Sequence, residues 1–194
     1  MKDQYLTIGK TPAEGNYSEL RSKFLATAYH VESAEQVRDI VAETRKNHHA
    51  ARHVCYAYIL GAQGDDYRST DDGEPSGTAV KPILDQIRAH GLVDTLVVVV
   101  RYYGGINLGT SRLRIAYREA AMQALDNCQT EERFVEEIFN FSYPYDKINS
   151  VMKVVKDQSP RILAHEINTT CKLTVAARKS VAEQLKTSLQ KAIS

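Results

Sequence analysis

Tryptophan is absent from the chain, cysteine occurs three times, and neither sign of charge is in excess, with 25 Lys and Arg against 24 Asp and Glu. Each shortage removes a class of function. Cys55, Cys128 and Cys171 are odd in number and far apart, with no C-x-x-C pair, so neither a dithiol redox site nor a zinc site is indicated and a reducing compartment fits. A formal net charge of +1 gives no bulk attraction to nucleic acid or to an anionic membrane; any such partner has to be held by a local patch. The aliphatic stretch Leu96–Val100 is far too short to span a bilayer, and the N-terminal MKDQYLTIGKTPAEG lacks the apolar core of a secretory signal. A cytoplasmic location without a membrane partner is expected. Neither a Walker A loop nor G-x-G-x-x-G is present, so nucleotide hydrolysis is unsupported.

What remains is ordinary globular usage: 194 residues, 43% of them apolar and 25% charged, enough for one large domain or two small ones. Tyr17 to Val31 alternates like a strand with one wetter face. Ser33 with Gln36 predicts a capped helix running to about Lys46, with Val37, Ile40 and Val41 inward. His53–Leu60 predicts an interior strand, Gly61 to Gly77 a polar loop, and the segment from about Thr78 to Gly91 a helix that tolerates Pro82 near its first turn. Asp94 to Val100 is a β-branched buried strand, followed by a helix from about Thr110 to Asp126 with Leu113, Tyr117, Ala120, Ala121 and Ala124 inward. The polar DNCQTEER stretch marks a boundary, giving domains 1–127 and 128–194. The second half predicts strand, helix, two strands and helix, a ferredoxin-like unit without its last strand.

Three clusters carry chemistry. In Arg101-Tyr102-Tyr103-Gly104-Gly105-Ile106-Asn107-Leu108-Gly109-Thr110-Ser111-Arg112, a buried strand turns through glycines into a helix, a geometry that aims backbone N–H groups and a helix dipole at one anion. Arg101, Arg112, Arg114 and Arg118 add positive charge, although they cannot all point the same way. A tight turn with solvating arginines is the plainer alternative. In the second cluster, Asp71, Asp72, Glu74, Ser76 and Thr78 stand close together before Lys81; they could hold a hard cation, form a polar network with the arginine turn, or cap the next helix. In the third, His49 and His53 would share a face if helical, but no clear third ligand follows, and no metal site is assigned. Cys55 lies in an apolar strand where a thiolate is disfavoured, and no nucleophile triad can be assembled.

These motifs, R-Y-Y-G-G-I-x-L-G-T with L-x-x-A-Y beyond it, D-D-G-E-P-S-G-T-A before K-P-I-L, E-x-x-S-K-F-L-A from Glu19 to Ala26, and H-V-C-Y-A-Y at His53, resemble the IMPACT family in its bacterial YigZ branch. The resemblance implies an α+β protein whose first domain is like the second domain of ribosomal protein S5 and whose second is ferredoxin-like; both are similar to the last two domains of the translocating elongation factor. It also implies RNA, the ribosome or a protein of translation control as partner, because eukaryotic members regulate translation, although those members carry a further domain. Two departures matter. Ser111-Arg112 stands where the family usually has a glycine pair, and Val80 where it often has glycine, so a ligand approaches the backbone less closely and meets more charge.

Two functions are therefore expected, with a purely protein-binding scaffold as the third reading. One is a non-catalytic RNA- or ribosome-associated protein using Arg101, Tyr102, Tyr103, Gly104, Gly105, Asn107, Gly109, Thr110, Ser111 and Arg112. The alternative is an enzyme or sensor holding a small phosphorylated or carboxylated metabolite between that turn and a polar cleft of Asp71, Asp72, Glu74, Ser76, Thr78, Lys81 and His53. No cofactor is implied, and the oligomeric state is left open.

Overall fold

The computed structural model describes residues 3–194 of the chain, an α+β protein of ten strands and five α-helices among those residues. They divide into two compact units, one spanning Tyr5–Arg133 and the other residues 3–4 with Phe134–Ser194. The expected boundary at 127/128 falls in the polar stretch whose far end carries this division.

The first unit is built on a five-stranded antiparallel sheet in the order β2 (Ala13–Glu19), β3 (Ser22–His30), β6 (Thr95–Tyr102), β4 (His53–Leu60) and β5 (Asp66–Thr70). Because β3 and β4 each pair antiparallel with β6, they run parallel to each other, and α1 (Ala34–Asn47) connects them in a split β-α-β unit. Ser33 caps α1 as expected, its Oγ accepting the Gln36 N–H at 3.3 Å, while the Gln36 side chain accepts the Glu32 N–H at 2.7 Å. α1 packs on one face of the sheet, closing a core of Val31, Val37, Val41, Val54, Tyr58, Val98 and Val100. On the opposite face, α2 (Val80–Ala89) and α3 (Gly109–Asp126) bury Phe24, Ala26, Cys55, Ala57, Val97 and Val99 beneath Ile83, Ile87, Leu113, Tyr117 and Ala120. Such burial is worth roughly 1.5–3 kcal/mol for each large apolar side chain. The alanine stripe of α3 lets the helix approach closely: a side chain at Gly15 of β2 would meet Ala124 N at 2.3 Å and Ala120 O at 2.6 Å.

Three sequence expectations need correction. Tyr17 to Val31 is two strands of a hairpin, turned at Leu20 and Arg21 with φ of 42° and 66°; neither residue type favours the left-handed region, so no turn signal was present. The polar loop 61–77 contains β5, an exposed edge strand that lacks the apolar alternation by which strands are recognised. The polar boundary contains β7 (Thr130–Phe134), which pairs with β1 (Gln4–Ile8) in a separate two-stranded sheet.

The second unit has the expected β-α-β-β-α order: β8 (Glu136–Pro144), α4 (Ile148–Gln158), β9 (Arg161–Glu166), β10 (Thr170–Arg178) and α5 (Lys179–Ile193). β10 lies between β8 and β9, antiparallel to both, which is the ferredoxin-like arrangement without a final strand. Tyr143, Val151, Val155, Leu173, Val175, Leu185 and Leu189 form its core.

Candidate anion cleft of the first unit

Strand parity decides where the arginine turn can act. In β6, Val97 and Val99 face α2 and α3, so Arg101 continues that row, whereas Val98, Val100 and Tyr102 belong to the α1 side. Arg101 is accordingly only 5% exposed and Glu74 only 8%. Arg101 Nη1 donates to Glu74 Oε1 at 2.6 Å, and the Tyr117 hydroxyl donates to the same oxygen at 2.7 Å. The guanidinium lies between the rings of Phe24 and Tyr103, at 5.5 and 5.7 Å from their centroids, and Arg52 covers Tyr103 at 5.1 Å. Arg101 Nε has no hydrogen-bond partner, although the atom is buried.

Around this pair the polar groups are arranged by their neighbours. His53 Nδ1 is 2.8 Å from the Asp72 carbonyl; since a carbonyl can only accept, Nδ1 carries the proton and Nε2 faces Glu74 Oε2 at 3.8 Å. Cys55 Sγ lies 3.0 Å from the Asp71 carbonyl and 3.3 Å from the Tyr117 hydroxyl. Burial pushes the Cys55 thiol and the Tyr117 hydroxyl well above their ordinary values. Both stay protonated at neutral pH, so the thiol is no nucleophile and the phenol serves as a hydrogen-bond donor to Glu74.

The acidic loop separates into three tasks. The Asp71 carboxylate accepts the N–H groups of Gly77, Ala79 and Val80 at 2.7, 3.0 and 2.9 Å, which ties down the start of α2. Asp72 takes a two-toothed pair from Arg45 at 2.7 and 3.1 Å and the Val54 N–H at 2.7 Å. Burial opposes ionisation of Asp72, but these donors outweigh it and hold its carboxyl below the usual range. Glu74 alone reaches the arginine turn. The cation and capping readings thus part: Asp71 caps, Glu74 joins the arginine network, and among the described residues no group of three or more His, Cys, Asp or Glu is placed to hold a metal. α1 ends at Asn47 and His53 opens β4, so the helical pairing of His49 with His53 does not form.

Both loops line one cleft of about 270 Å³, bounded by Arg52, His53, Gly73, Glu74, Pro75, Arg101, Tyr103, Asn107, Gly109 and Thr110. Tyr103 Oη donates to Asn107 Oδ1 at 3.1 Å across its mouth. No side chain caps α3, which begins here at Gly109. Gly105 and Gly109 bracket the turn at φ of 84° and 74°. Gly104 is required for a different reason: a side chain there would meet the Arg21 backbone at 2.2 Å, so the turn is pinned beneath the β2–β3 hairpin.

Several expected residues lie elsewhere. The Tyr102 hydroxyl is 2.8 Å from His48 Nδ1 on the α1 side. Arg112 turns toward Glu19, at 3.9 Å; Ser111 and Ser76 are exposed, and Thr78 is buried with its hydroxyl on the Pro75 carbonyl. Lys81 lies with Arg114, Arg118, Pro82 and the half-exposed Ile115 in a second groove of about 350 Å³ between α2 and α3. Three participants were missed from the sequence. Tyr117 was assigned to the core stripe without regard to its hydroxyl, Arg52 precedes the strand that aims it, and Arg45 is distant in sequence from its partner Asp72.

A family model described as the Impact N-terminal domain matches residues 20–125. An IMPACT family member of Haemophilus influenzae is 32% identical over 171 residues, covering 87% of this chain and 83% of that protein. The IMPACT family member YigZ of Escherichia coli is 33% identical over 158 residues, covering 80% and 78%. A crystal structure described as that of a hypothetical protein superposes with a TM-score of 0.76 at 28% identity, covering 98% of this chain and 93% of the other.

Proposed function

Because the chain belongs to the IMPACT family, and because its arginine turn and acidic loop line one cleft that holds no activated nucleophile, we propose that it is a non-catalytic RNA- or ribosome-associated protein of translation control. The observation that carries this reading is the single cleft in which Arg52, Arg101 and the uncapped start of α3 meet. A phosphate in the cleft would meet Arg52 and the first N–H groups of the helix. Arg101 itself is not a free charge, since Glu74 already neutralises it; its contribution is a fixed direction. Tyr103, partly exposed at the mouth, already has Arg52 and Arg101 against its ring at 5.1 and 5.7 Å, so a base would stack there only by displacing Arg52. Beyond the Gly73–Gly77 turn, the second groove offers Arg114 to a neighbouring phosphate, while Lys81 and Arg118 are already paired with Asp85 and Glu119, each at 2.8 Å.

Filter binding of rRNA, tRNA and oligonucleotides across a salt series, with ribosome co-sedimentation, tests the reading. Affinity should fall steeply with salt, and Arg114→Ala/Arg118→Ala should weaken binding to all sequences while reducing the slope of log K against log salt by about 0.7–0.9 for each phosphate no longer neutralised. No retention at low salt and no co-sedimentation, joined to a thermal shift by small phosphorylated or carboxylated metabolites that Arg101→Ala removes, would favour the metabolite pocket instead.

A further inference from the structure

Within the first unit, a single helix lies on the α1 side of the five-stranded sheet. Two helices close the opposite face, but α1 alone packs on this one, chiefly over β4. The strip above β3 is left as a groove of about 430 Å³. Its floor is Leu25, Tyr29, Val98 and Val100 with one hydroxyl, that of Thr27, among them, and its wall is the flank of α1, where Ile40 stands between two carboxylates, Asp39 and Glu43, one turn apart. Both carboxylates are exposed and neither is in an ion pair among the described residues; Glu43 merely accepts the Asn47 side-chain N–H at 3.1 Å. Across the floor, β2 places Glu14 opposite Thr27 on the same face, adding a third exposed carboxylate, with Lys23 as the cation at the far end of the β3 row.

From this mostly apolar floor and its acidic rim we infer that the groove is a docking site for a lysine- or arginine-bearing amphipathic helix of another protein. An apolar stripe at i, i+3, i+4 and i+7 would fill the floor, in the place that a second helix takes on the opposite face, and cations along one edge of that stripe would meet Asp39 and Glu43. The carboxylates exclude nucleic acid, whose phosphates they repel, and they select among peptides by sign of charge, since like charges at an interface are strongly disfavoured. The inference stands independently of the RNA reading, which concerns the other face of the sheet.

The test is panning of a random helical peptide library on the immobilised full chain. Selected peptides should carry Lys or Arg flanking an apolar stripe, and Asp39→Lys/Glu43→Lys should weaken them at least tenfold without lowering the melting temperature, while Asp39→Asn/Glu43→Gln falls between. Enrichment of neutral or acidic peptides, or equal binding to the charge-reversed variant, overturns the proposal. So does a self-associated chain in sedimentation that the charge-reversed variant dissociates, because the occupant would then be a second copy.

Discussion

Two helices cover one face of the five-stranded sheet and a single helix covers the other. On the doubly covered face, the charges that lie inside are held by partners: Arg101 with Glu74, Glu74 with Tyr117, Asp71 with the start of α2. On the singly covered face, Asp39 and Glu43 have no ion partner among the described residues, and the floor beneath them is mostly apolar. The contrast teaches that the fold keeps its fixed charges inside, where they orient groups, and its free charges on a rim, where they choose partners. Paired interior charges hold geometry; unpaired rim charges contribute little until something docks.

Truncation on the two faces should therefore differ most in stability. Glu74→Ala leaves Arg101 buried beside Phe24 without its carboxylate and removes the acceptor of Tyr117; chemical denaturation should show a loss of about 3–5 kcal/mol, as for other broken buried ion pairs. A loss below about 1 kcal/mol would mean that water or another acid replaces Glu74, and the contrast between the faces would collapse. The smallest effect belongs to the rim: Asp39→Ala/Glu43→Ala should stay within about 0.5 kcal/mol of the parent in the same denaturant series. A larger loss would show that these carboxylates support α1 rather than await a partner.

Much of this arrangement could be read from the residues, and the rest was hidden for identifiable reasons. Ser33 with Gln36, the β-branched run of β6 and the alanine stripe of α3 each signal their element directly, because capping, burial and helical period all act on neighbours in sequence. β5 and β7 escaped because short, mostly exposed strands carry no apolar alternation, and β1 because it is only five residues long, although it buries Thr7 and Ile8. The Leu20–Arg21 turn escaped because its left-handed backbone is imposed by strand pairing and not by residue type. For the site, the family motifs drew attention to the two loops that line the cleft but treated each as a unit. Strand period alone could have separated Tyr102 from Arg101, and helix period places Tyr117 one turn from Leu113 on the same buried stripe. The pairing of Arg45 with Asp72, and the singly covered face of the sheet, depend on the meeting of distant segments and left no local trace.

Ligands of opposite charge on the two faces would be told apart by an amide NMR titration of the full chain with a 5′-phosphorylated single-stranded oligonucleotide. Shifts should gather at residues 73–77 and 101–118, with Arg52 and His53, and leave residues 36–47 of α1 unmoved. Shifts concentrated along Asp39 to Asn47, or none at Gly109 and Thr110, would contradict the anion reading of the cleft.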